Sequence, residues 1–319
     1  MGWTAAIIGA GAIGAGLDDP CGKVRLTHAG GYASHTDFTL AALADQDSST
    51  AEAQARRWGC QAYSDPERML ADVRPDVVSI CTATANHEKA IELAIAHEVR
   101  AIVCEKPLCS TLEASRRMTE RASEAGVPLI VNYTRRFVPF YVELKRRIEQ
   151  QREHPVSACF KYAKGIVHNG SHALDLARFL FGEATLVQAL GCKYDYSPED
   201  PTLSGYLRFE LCPEIFLQGL DERLFTFFEF DLITDMGRYL VNEDGFRISR
   251  FKIREHPHYR CQSLGMAKIS DTGHDRAGYY LADNVAKVLS GESAPRCTAQ
   301  DSLRAHELAR DLTRQTLKK

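Results

Sequence analysis

The sequence predicts an α/β protein with two domains. An N-terminal doubly wound parallel sheet is followed by an α+β domain with a largely antiparallel open sheet. Three observations support this. Apolar segments alternate with amphipathic helical stretches over residues 1–134, a glycine-rich turn follows the first apolar segment, and the rest of the chain is dominated by β-rich segments. We therefore predict domains at residues 1–134 and 135–319.

Composition supports a globular protein and argues against several classes of partner. The chain has 319 residues, of which 45% are hydrophobic and 25% charged, which suits two domains of about 100–200 residues each. A net charge of −3 without a basic block argues against nucleic acid as a partner. The uncharged stretch over residues 2–17 lacks a positive flank and is too short to span a bilayer, so we expect no membrane partner.

The cysteines point to a reducing compartment. Ten cysteines are scattered along the chain without a C-x-x-C pair, and Cys81 and Cys104 lie within apolar runs. This pattern is typical of buried, reduced thiols, and we expect a cytoplasmic protein. A reactive thiol at Cys104 or Cys109, beside the Glu-Lys-Pro motif described below, is the less favoured alternative.

The first domain is predicted from strands that are apolar almost throughout. Such strands, separated by amphipathic helices, indicate a parallel sheet that is covered on both faces. The predicted strands are Thr4–Ile8, Phe38–Ala44, Val77–Cys81, Ala101–Cys104 and Leu129–Asn132, and the helices include Ser49–Trp58, Pro66–Asp72, His87–His97 and Leu112–Ala125.

The second domain is predicted from β-rich runs with visible alternation, as in Tyr206–Glu210. Alternating apolar and charged residues indicate strands with one solvated face or one face packed on helices. The predicted strands are Val156–Tyr162, Leu186–Tyr194, Leu203–Leu211, Glu214–Leu220, Phe225–Ile233, Arg238–Val241 and Arg247–Ile253, and the helices are Phe140–Gln150, Ser171–Phe181, Arg276–Ser290 and Asp301–Thr316.

The glycine-rich turn predicts a dinucleotide site. Gly9, Gly11 and Gly14, with Ala12 and Ile13 between them, directly follow the first strand, where it turns into a predicted helix. Glycines allow a tight turn and close approach of a pyrophosphate, and a helix N-terminus offers N–H groups to the anion. The glycine pattern is common on its own, but its position directly after the first predicted strand supports a functional role. It predicts a Rossmann fold that binds NAD or NADP.

Asp45 favours NAD over NADP. It ends the second predicted strand, where an acidic residue accepts hydrogen bonds from the adenosine ribose and repels a 2′-phosphate. The spacing from Gly9 is longer than the usual distance of about 20 residues, which predicts an insertion around Asp18–Tyr32. The alternative is an ordinary solvated aspartate at a strand end.

Glu105-Lys106-Pro107 lies at the carboxyl end of a predicted central strand, the edge where open α/β sheets bind ligands, so Glu105 and Lys106 are also predicted to contact the cofactor. A lysine there can bind a substrate hydroxyl and, with a lowered pKa, move a proton. Proline fixes the turn and is compatible with a cis bond that would aim the lysine. A surface lysine leaving a strand is the alternative.

The segment from His168 to Asp175 is a second candidate for acid–base chemistry. Asn169 or Ser171 is predicted to cap a helix whose first turn holds His172, and Asp175 shares its face. A histidine there is a plausible acid or base, because its ordinary pKa is near neutral. His168 precedes the helix on the same side. The spacing does not indicate a metal site, and we predict no metal. A purely structural His172 is the alternative.

Two further segments follow predicted strand ends. Arg135 and Arg136 can bind phosphate or substrate hydroxyls, or they can form structural pairs. Residues 82–87 can line the nicotinamide site with Thr82, Asn86 and His87; helix capping is the alternative for His87.

Together these motifs resemble the Gfo/Idh/MocA family, the glucose–fructose oxidoreductase and inositol dehydrogenase group. The resemblance rests on the order of five segments: the glycine turn, Thr82–His87, Glu105–Pro107, Asn132–Phe137 and Gly170–Asp175. It implies a Rossmann domain, and an α+β domain whose open sheet forms the contacts between the subunits of a homodimer or homotetramer. It also implies NAD(P)-dependent hydride transfer on a sugar, nucleotide-sugar or cyclitol.

By this resemblance Lys106 and His172 are the catalytic pair. His172 would take the hydroxyl proton, and Lys106 would orient and polarise the same oxygen. Many relatives carry aspartate four residues before the histidine, where this chain has His168. The motif is similar to members associated with surface-polysaccharide and nucleotide-sugar metabolism. Two alternatives stay open: a non-catalytic NAD- or sugar-binding regulator, and a redox-neutral enzyme with tightly held NAD.

Overall fold

The computed structural model describes residues 2–316, which form two compact units. The first comprises the chain up to Val138 together with Asp275–Arg304, and the second comprises Pro139–His274 and the chain from Ala305 onward. The predicted functional division at residue 134 stays a prediction. No motif in the sequence indicates that Asp275–Arg304 belongs to the N-terminal unit.

The first unit is built on a six-stranded parallel sheet in the order β3-β2-β1-β4-β5-β6. This is a doubly wound arrangement, in which the strand order reverses beside β1. The short strand β3 escaped the sequence prediction because its three residues carry no periodic pattern. The strands are β1 (Trp3–Ile8), β2 (Phe38–Ala44), β3 (Gln61–Tyr63), β4 (Val77–Ile80), β5 (Ala101–Cys104) and β6 (Leu129–Val131).

Side-chain caps begin most of the helices of the first unit. Asp47, Asp65 and Thr111 each accept a hydrogen bond from a main-chain N–H of the helix that follows, which satisfies a donor that lacks an intrahelical partner. The helices of this unit are α1 (His28–Ser34), α2 (Ser48–Trp58), α3 (Pro66–Val73), α4 (His87–Ala96), α5 (Leu112–Glu124) and α8 (Ala277–Leu289).

The prediction of a helix directly after the glycine turn is wrong. Only the five-residue π-helical turn Ala12–Gly16 forms there, and α1 begins at His28. Gly14 and Gly16 favour helix poorly, and Asp18-Asp19-Pro20 stops it. The buried carboxylate of Asp18 instead accepts hydrogen bonds from the main-chain N–H groups of Leu26 and Thr27, which closes a loop.

Close packing between α1 and α8 explains why the late segment joins the first unit. A Cβ atom on Gly31 would lie 2.3 Å from the main-chain oxygen of Gly278. A Cβ atom on Gly278 would lie 2.3 Å from the oxygen of Thr27. The two backbones therefore meet at a distance that only glycine permits on either side.

The second unit is built on a nine-stranded sheet, in the order β14-β13-β12-β11-β7-β10-β9-β8, with β15 paired to β13. Its pairs are antiparallel except for β7 with β10, which confirms the predicted largely antiparallel sheet. The strands are β7 (Pro155–Tyr162), β8 (Ala184–Ser197), β9 (Asp200–Phe209), β10 (Ile215–Gly219), β11 (Phe228–Thr234), β12 (Gly237–Asn242), β13 (Arg247–Glu255), β14 (Gln262–Leu264) and β15 (Lys268–Asp271).

Helix α7 (Ser171–Phe181) covers one face of this sheet. Its Ala173, Leu174 and Ala177 line the same apolar space as Phe160, Leu207, Phe209, Ile215 and Leu217 of the strands. Two further helices are α6 (Pro139–Glu149) and α9 (Ala299–Thr316). No helix among residues 2–316 is both long and apolar enough to cross a lipid bilayer.

We predict that Gly31→Ala destabilises the protein, although alanine normally favours a helix by up to about 1 kcal/mol. The oxygen of Gly278 leaves no room for the methyl group, so the expected net loss in free energy of unfolding is about 1–3 kcal/mol. Urea unfolding measures it. Gly191→Ala is the control, because a Cβ atom there meets nothing within 4 Å. An unchanged stability for Gly31→Ala would contradict the close packing.

Candidate functional site

The glycine turn is held by close backbone contacts at the carboxyl end of β1. Gly9 has φ +99°, and a Cβ atom there would lie 2.6 Å from the carbonyl carbon of Cys81. A Cβ atom on Gly14 would lie 2.0 Å from the oxygen of Gly9. By contrast, a Cβ atom on Gly11 would meet nothing within 4 Å, so this part of the turn is open. Two glycines thus shape the turn, and the third leaves its surface accessible.

Side chains from α2 hold the far end of the same turn. The indole Nε1 of Trp58 donates to the oxygen of Ala15 at 2.9 Å, and Arg57 donates to the oxygen of Gly16. Within the turn, the N–H groups of Ala15 and Gly16 both bond to the oxygen of Gly11. The turn therefore ends on fixed hydrogen bonds, although the predicted long helix is absent.

Asp45 links the glycine turn to the start of α2. Its Oδ2 accepts from the N–H of Ala10 at 2.8 Å, and its Oδ1 accepts from the N–H of Asp47 at 3.0 Å. The carboxylate sits beside the glycine turn at the carboxyl end of β2, as the sequence predicts. These two hydrogen bonds order the turn, a contribution of Asp45 that the sequence did not reveal.

A cavity of about 420 Å³ opens between these elements. It lies where the strand order reverses, which is the usual ligand position in open α/β sheets. Of the predicted cofactor residues, Gly9, Gly11, Asp45, Thr82 and Asn86 line it, while Ala12, Ile13, Gly14, His87, Glu105 and Lys106 do not. The sequence missed other wall residues: Gln46, Ser64, Pro66, Lys89, Ala90 and Leu93.

A buried polar network lies beneath Glu105. Its Oε1 is 2.9 Å from His28 Nε2 and 2.7 Å from Asn132 Nδ2. His28 Nδ1 is 2.9 Å from Ser79 Oγ, which is also 2.9 Å from the Tyr32 hydroxyl. Except for the half-buried Glu105, these residues are at most 2% exposed, and they come from α1, β4 and the end of β6.

Hydrogen-bond chemistry fixes the direction of this network. A carboxylate only accepts, so the His28 Nε2 that faces Glu105 carries hydrogen. On a neutral ring, Nδ1 then accepts from Ser79, and Tyr32 donates to Ser79. Burial raises the pKa of Glu105, but hydrogen bonds from His28 and Asn132, with the charge of Lys106, leave it lower than usual. Glu105 is therefore an anion at neutral pH.

The Asn132 amide is oriented by Glu105, which requires the NH₂ group to face the carboxylate. Its Oδ1 is consequently a buried acceptor that has no hydrogen-bond partner among the described residues. Such an acceptor costs about 1–3 kcal/mol unless a donor reaches it. A ligand donor at this strand edge would remove that cost.

His87 fastens the turn that carries Lys106. The Lys106–Pro107 peptide bond is cis. His87 Nδ1 lies 3.1 Å from the oxygens of both Pro107 and Leu108, and its Nε2 lies 3.0 Å from the oxygen of Thr82. The ring is 1% exposed and faces main-chain oxygens, and it does not cap α4. It thus joins two loops instead of lining the cavity.

In the second unit, a π-helical turn over Gly165–Gly170 carries His168. The two carboxylate oxygens of Asp200 accept from the N–H groups of Val167 and His168, each at 2.8 Å. The His168 ring lies against Tyr196, with ring centroids 4.8 Å apart. Asp200 and Tyr196 thus position His168, and no motif in the sequence pointed to either residue.

His172 lies in the first turn of α7, with its ring edge-on to Phe228 at 6.5 Å between centroids. The predicted cap is wrong, because no side chain caps this helix. Asn169 instead donates to the oxygen of Ala163, and Ser171 donates to the oxygen of Val167. The backward bonds are possible because the preceding π-helical turn runs directly into α7.

The remaining predicted residues are buried. Asp175 is 1% exposed, and Arg135 and Arg136 are 7% and 5% exposed. Arg136 donates to the oxygen of Arg296 and pairs with Asp301 at 3.2 Å, which is the structural alternative considered from the sequence.

Comparison with known proteins agrees with this geometry. Residues 4–133 match the Gfo/Idh/MocA model, described as an oxidoreductase family with an NAD-binding Rossmann fold. Inositol 2-dehydrogenase 2 of Saccharopolyspora erythraea is 34% identical over 158 residues, which cover 45% of this chain and 46% of that protein. The scyllo-inositol 2-dehydrogenase (NAD(+)) of Bacillus subtilis is 30% identical over 60% of this chain and 56% of its own length. The chain thus spans about half the length of these curated relatives.

The fold is shared over a longer stretch. An oxidoreductase from Agrobacterium radiobacter, crystallised with NAD+, L-tartaric acid and magnesium, superposes with a TM-score of 0.77. It is 18% identical, and the match covers 99% of this chain and 97% of that one. Both parts of the predicted architecture are therefore found together in a known structure.

We predict that Glu105→Gln lowers the free energy of unfolding by about 1–3 kcal/mol at pH 7, because buried donors lose an anionic acceptor. The folded-state pKa of Glu105 lies below its ordinary 4.5, so this stability is present above pH 4.5 and is lost as pH falls through the folded value. Urea unfolding at pH 7 and near pH 4 measures the difference in free energy of unfolding between wild type and Glu105→Gln. This difference should be smaller near pH 4 than at pH 7.

Glu120→Gln is the control, because Glu120 is an exposed residue of α5. A loss for Glu105→Gln that is the same at both pH values would contradict the assignment of Glu105 as an anion that accepts hydrogen bonds from buried donors.

Proposed function

We propose that this protein is an NAD-dependent dehydrogenase or reductase of CH–OH groups, because residues 4–133 match the model of the Gfo/Idh/MocA family of NAD-binding oxidoreductases. Its substrate class is a sugar, nucleotide-sugar or cyclitol. The supporting observation is the cavity at the carboxyl end of β1, in which an open glycine turn and the carboxylate of Asp45 lie side by side.

The cavity and the neighbouring part of the same sheet edge suit a dinucleotide in three respects. Gly11 leaves the turn open to a pyrophosphate, as the missing contact around its Cβ position indicates. Asp45 offers carboxylate oxygens to the ribose hydroxyls and repels a 2′-phosphate, so NAD is favoured over NADP. Asn132 Oδ1 is a buried acceptor at the same edge of the sheet. When bound, NAD supplies the hydride acceptor or donor.

Lys106 is the proposed donor to the reacting oxygen. It follows β5 at the ligand-binding edge of the sheet, beside the Glu105 anion. A nearby anion favours the ammonium form of lysine, which donates hydrogen bonds and polarises a carbonyl or hydroxyl oxygen. Glu105, which does not line the cavity, supports Lys106 in this scheme.

His172 is the proposed proton acceptor, by the family resemblance. During oxidation it takes the proton of the substrate hydroxyl, and during reduction it returns one. The surrounding polar groups of the second unit, His168, Asn169 and Asp175, are proposed to contact or orient substrate. Arg135 stays in the proposed substrate set, while the ion pair of Arg136 favours a structural role.

The relatives guide the substrate search. Two of them are named as inositol dehydrogenases, so we propose cyclitols first. The motif around His172 is similar to nucleotide-sugar enzymes, and we propose that class second. Because the cysteine pattern is typical of reduced thiols, we propose that the protein is located in the cytoplasm.

The nine-stranded sheet is the proposed contact between copies of the chain, as a homodimer or homotetramer. Its face opposite α7 carries Phe216, which is 45% exposed, and the neighbouring Tyr206 ring at 5.4 Å. An apolar exposed sheet face of this kind is typical of an interface. The second unit would thus serve both substrate binding and assembly.

We predict that the protein binds NADH more tightly than NADPH, and that Asp45→Asn lowers this preference at least about tenfold, since the carboxylate charge repels the 2′-phosphate. Fluorescence titration with both reduced coenzymes measures the two dissociation constants.

Asn keeps an acceptor oxygen for the N–H of Ala10, so Asp45→Asn separates the charge from the ordering of the turn, and Asp45→Ala removes both. If the coenzyme ratio is unchanged in Asp45→Asn, Asp45 does not select the coenzyme. If folded wild-type protein, freed of retained cofactor, binds neither coenzyme, the dehydrogenase proposal fails.

We predict that Lys106→Ala lowers kcat at least about a hundredfold, while the dissociation constant for NADH changes less than about threefold, because the lysine acts on substrate. The assay follows NADH formation with myo-inositol, scyllo-inositol and UDP-N-acetylglucosamine. His172→Asn is expected to behave likewise.

Lys89→Ala is the matched lysine control, since Lys89 lines the cavity that is proposed to bind the coenzyme, whereas Lys106 does not. It should change coenzyme affinity instead of kcat. Near-normal turnover by Lys106→Ala would remove the lysine from the mechanism.

A further inference from the structure

We propose that two buried histidines, His28 and His87, are positioning residues that hold the main chain of Lys106 from its two sides. The proposal rests on the function given above, in which Lys106 donates to the reacting oxygen. Neither ring lines the cavity, and each contacts the turn that carries Lys106, so each is proposed to act on catalysis through that turn.

On the N-terminal side, His28 acts through Glu105. The carboxylate of Glu105 accepts from His28 at Oε1, and its Oε2 lies 3.3 Å from the main-chain N–H of Lys106. The N–H of Glu105 itself is bound to the oxygen of Ile80 at 2.9 Å. A shift of the Glu105 carboxylate would therefore be transmitted directly to the backbone of Lys106.

On the C-terminal side, His87 binds the carbonyl that follows Lys106. Its Nδ1 lies 3.1 Å from the oxygen of Pro107, and its Nε2 lies 3.0 Å from the oxygen of Thr82. Thr82 is part of the cavity wall. The ring therefore spans the gap between the lysine turn and the loop that is proposed to line the nicotinamide.

Imidazole suits both places, because its two nitrogens lie on opposite sides of one rigid ring. His28 reaches from Ser79 to Glu105, and His87 reaches from Thr82 to Pro107. A glutamine amide can replace one of the two bonds of each ring but not both. Misplacing a catalytic group by about 1 Å can cost about a hundredfold in rate, so loss of either ring should act on kcat.

The first test replaces His28 by phenylalanine and by glutamine and measures kcat, KM and the dissociation constant for NADH. We expect His28→Phe to lower kcat at least about tenfold with KM and NADH binding within about threefold, and His28→Gln to recover part of the loss. The substrate is whichever of the three compounds named above, myo-inositol, scyllo-inositol or UDP-N-acetylglucosamine, is turned over fastest by wild type. His87→Leu should likewise lower kcat while leaving KM and the dissociation constant for NADH within about threefold.

His35→Phe is the matched control. His35 follows α1, is 7% exposed, and lies 3.8 Å from the carboxylate of Asp283. It is thus a buried histidine of the same unit with an acidic neighbour, but it makes no hydrogen bond to residues 105–108 within the described part of the chain. We expect the kcat of the His35→Phe variant to stay within about twofold of wild type.

A double-variant cycle shows whether His28 acts through the lysine. In protein that already carries Lys106→Ala, adding His28→Phe should produce no further loss of kcat, because the positioned group is gone. A full additional loss in that background, or a His28→Phe loss confined to NADH binding, would overturn the proposal.

Amide hydrogen exchange at Glu105, Lys106 and Leu108 provides a test that needs no substrate. We expect faster amide exchange at Lys106 in His28→Phe and His28→Gln than in wild type, and no change in His35→Phe. Unchanged exchange in both His28 variants would overturn the proposal. If wild type binds no NADH, the proposed dehydrogenase fails, while this exchange result still decides whether the histidines hold the turn.

Discussion

The Glu105 carboxylate lies at the end of a central strand, and the geometry of the proposed lysine depends on it. It accepts from His28 and Asn132, and it faces the main-chain N–H of Lys106. Removing a charge from water is costly unless hydrogen bonds compensate, so each donor has to be in place. One side chain therefore couples α1, β5 and the end of β6.

The same sheet edge explains where a coenzyme can sit. Gly9 approaches the backbone of Cys81 more closely than any other residue could, because β1 and β4 are hydrogen-bonded neighbours up to Ile8 and Ile80. The chain then turns away at Gly11 and leaves a cavity at the reversal of strand order. The glycine turn is thus rigid where it packs and open where a pyrophosphate would approach.

Much of the architecture was predictable from the sequence, because buried parallel strands are apolar throughout and their helices are amphipathic. The strand β2 agrees residue for residue, and the largely antiparallel second sheet is confirmed. Helix α1 was missed, because it is only seven residues long and contains two glycines. Gly31 is explained by Gly278, which is distant in sequence, and Gly30 is explained by the carboxylate of Asp18. The network around Glu105 was missed for the same reason: His28, Ser79 and Asn132 come together only when the strands are assembled.

Motifs located the strand-end residues better than they assigned their contacts. Asp45 lies beside the glycine turn, but its bond to Ala10 was not foreseeable from spacing. His87 was expected at the nicotinamide and instead bonds main-chain oxygens from inside the unit. Whether a polar side chain faces a cavity or a buried carbonyl depends on tertiary contacts, which one-dimensional patterns do not contain.

A crystal structure of the protein with NAD tests the central claim most directly, because it locates the coenzyme relative to the glycine turn. We expect the pyrophosphate beside Gly9 and Gly11, the adenosine ribose hydroxyls within hydrogen-bond distance of Asp45, and the nicotinamide at the carboxyl end of β5 near Lys106. NAD bound elsewhere, with this cavity empty, would contradict the assignment of the site.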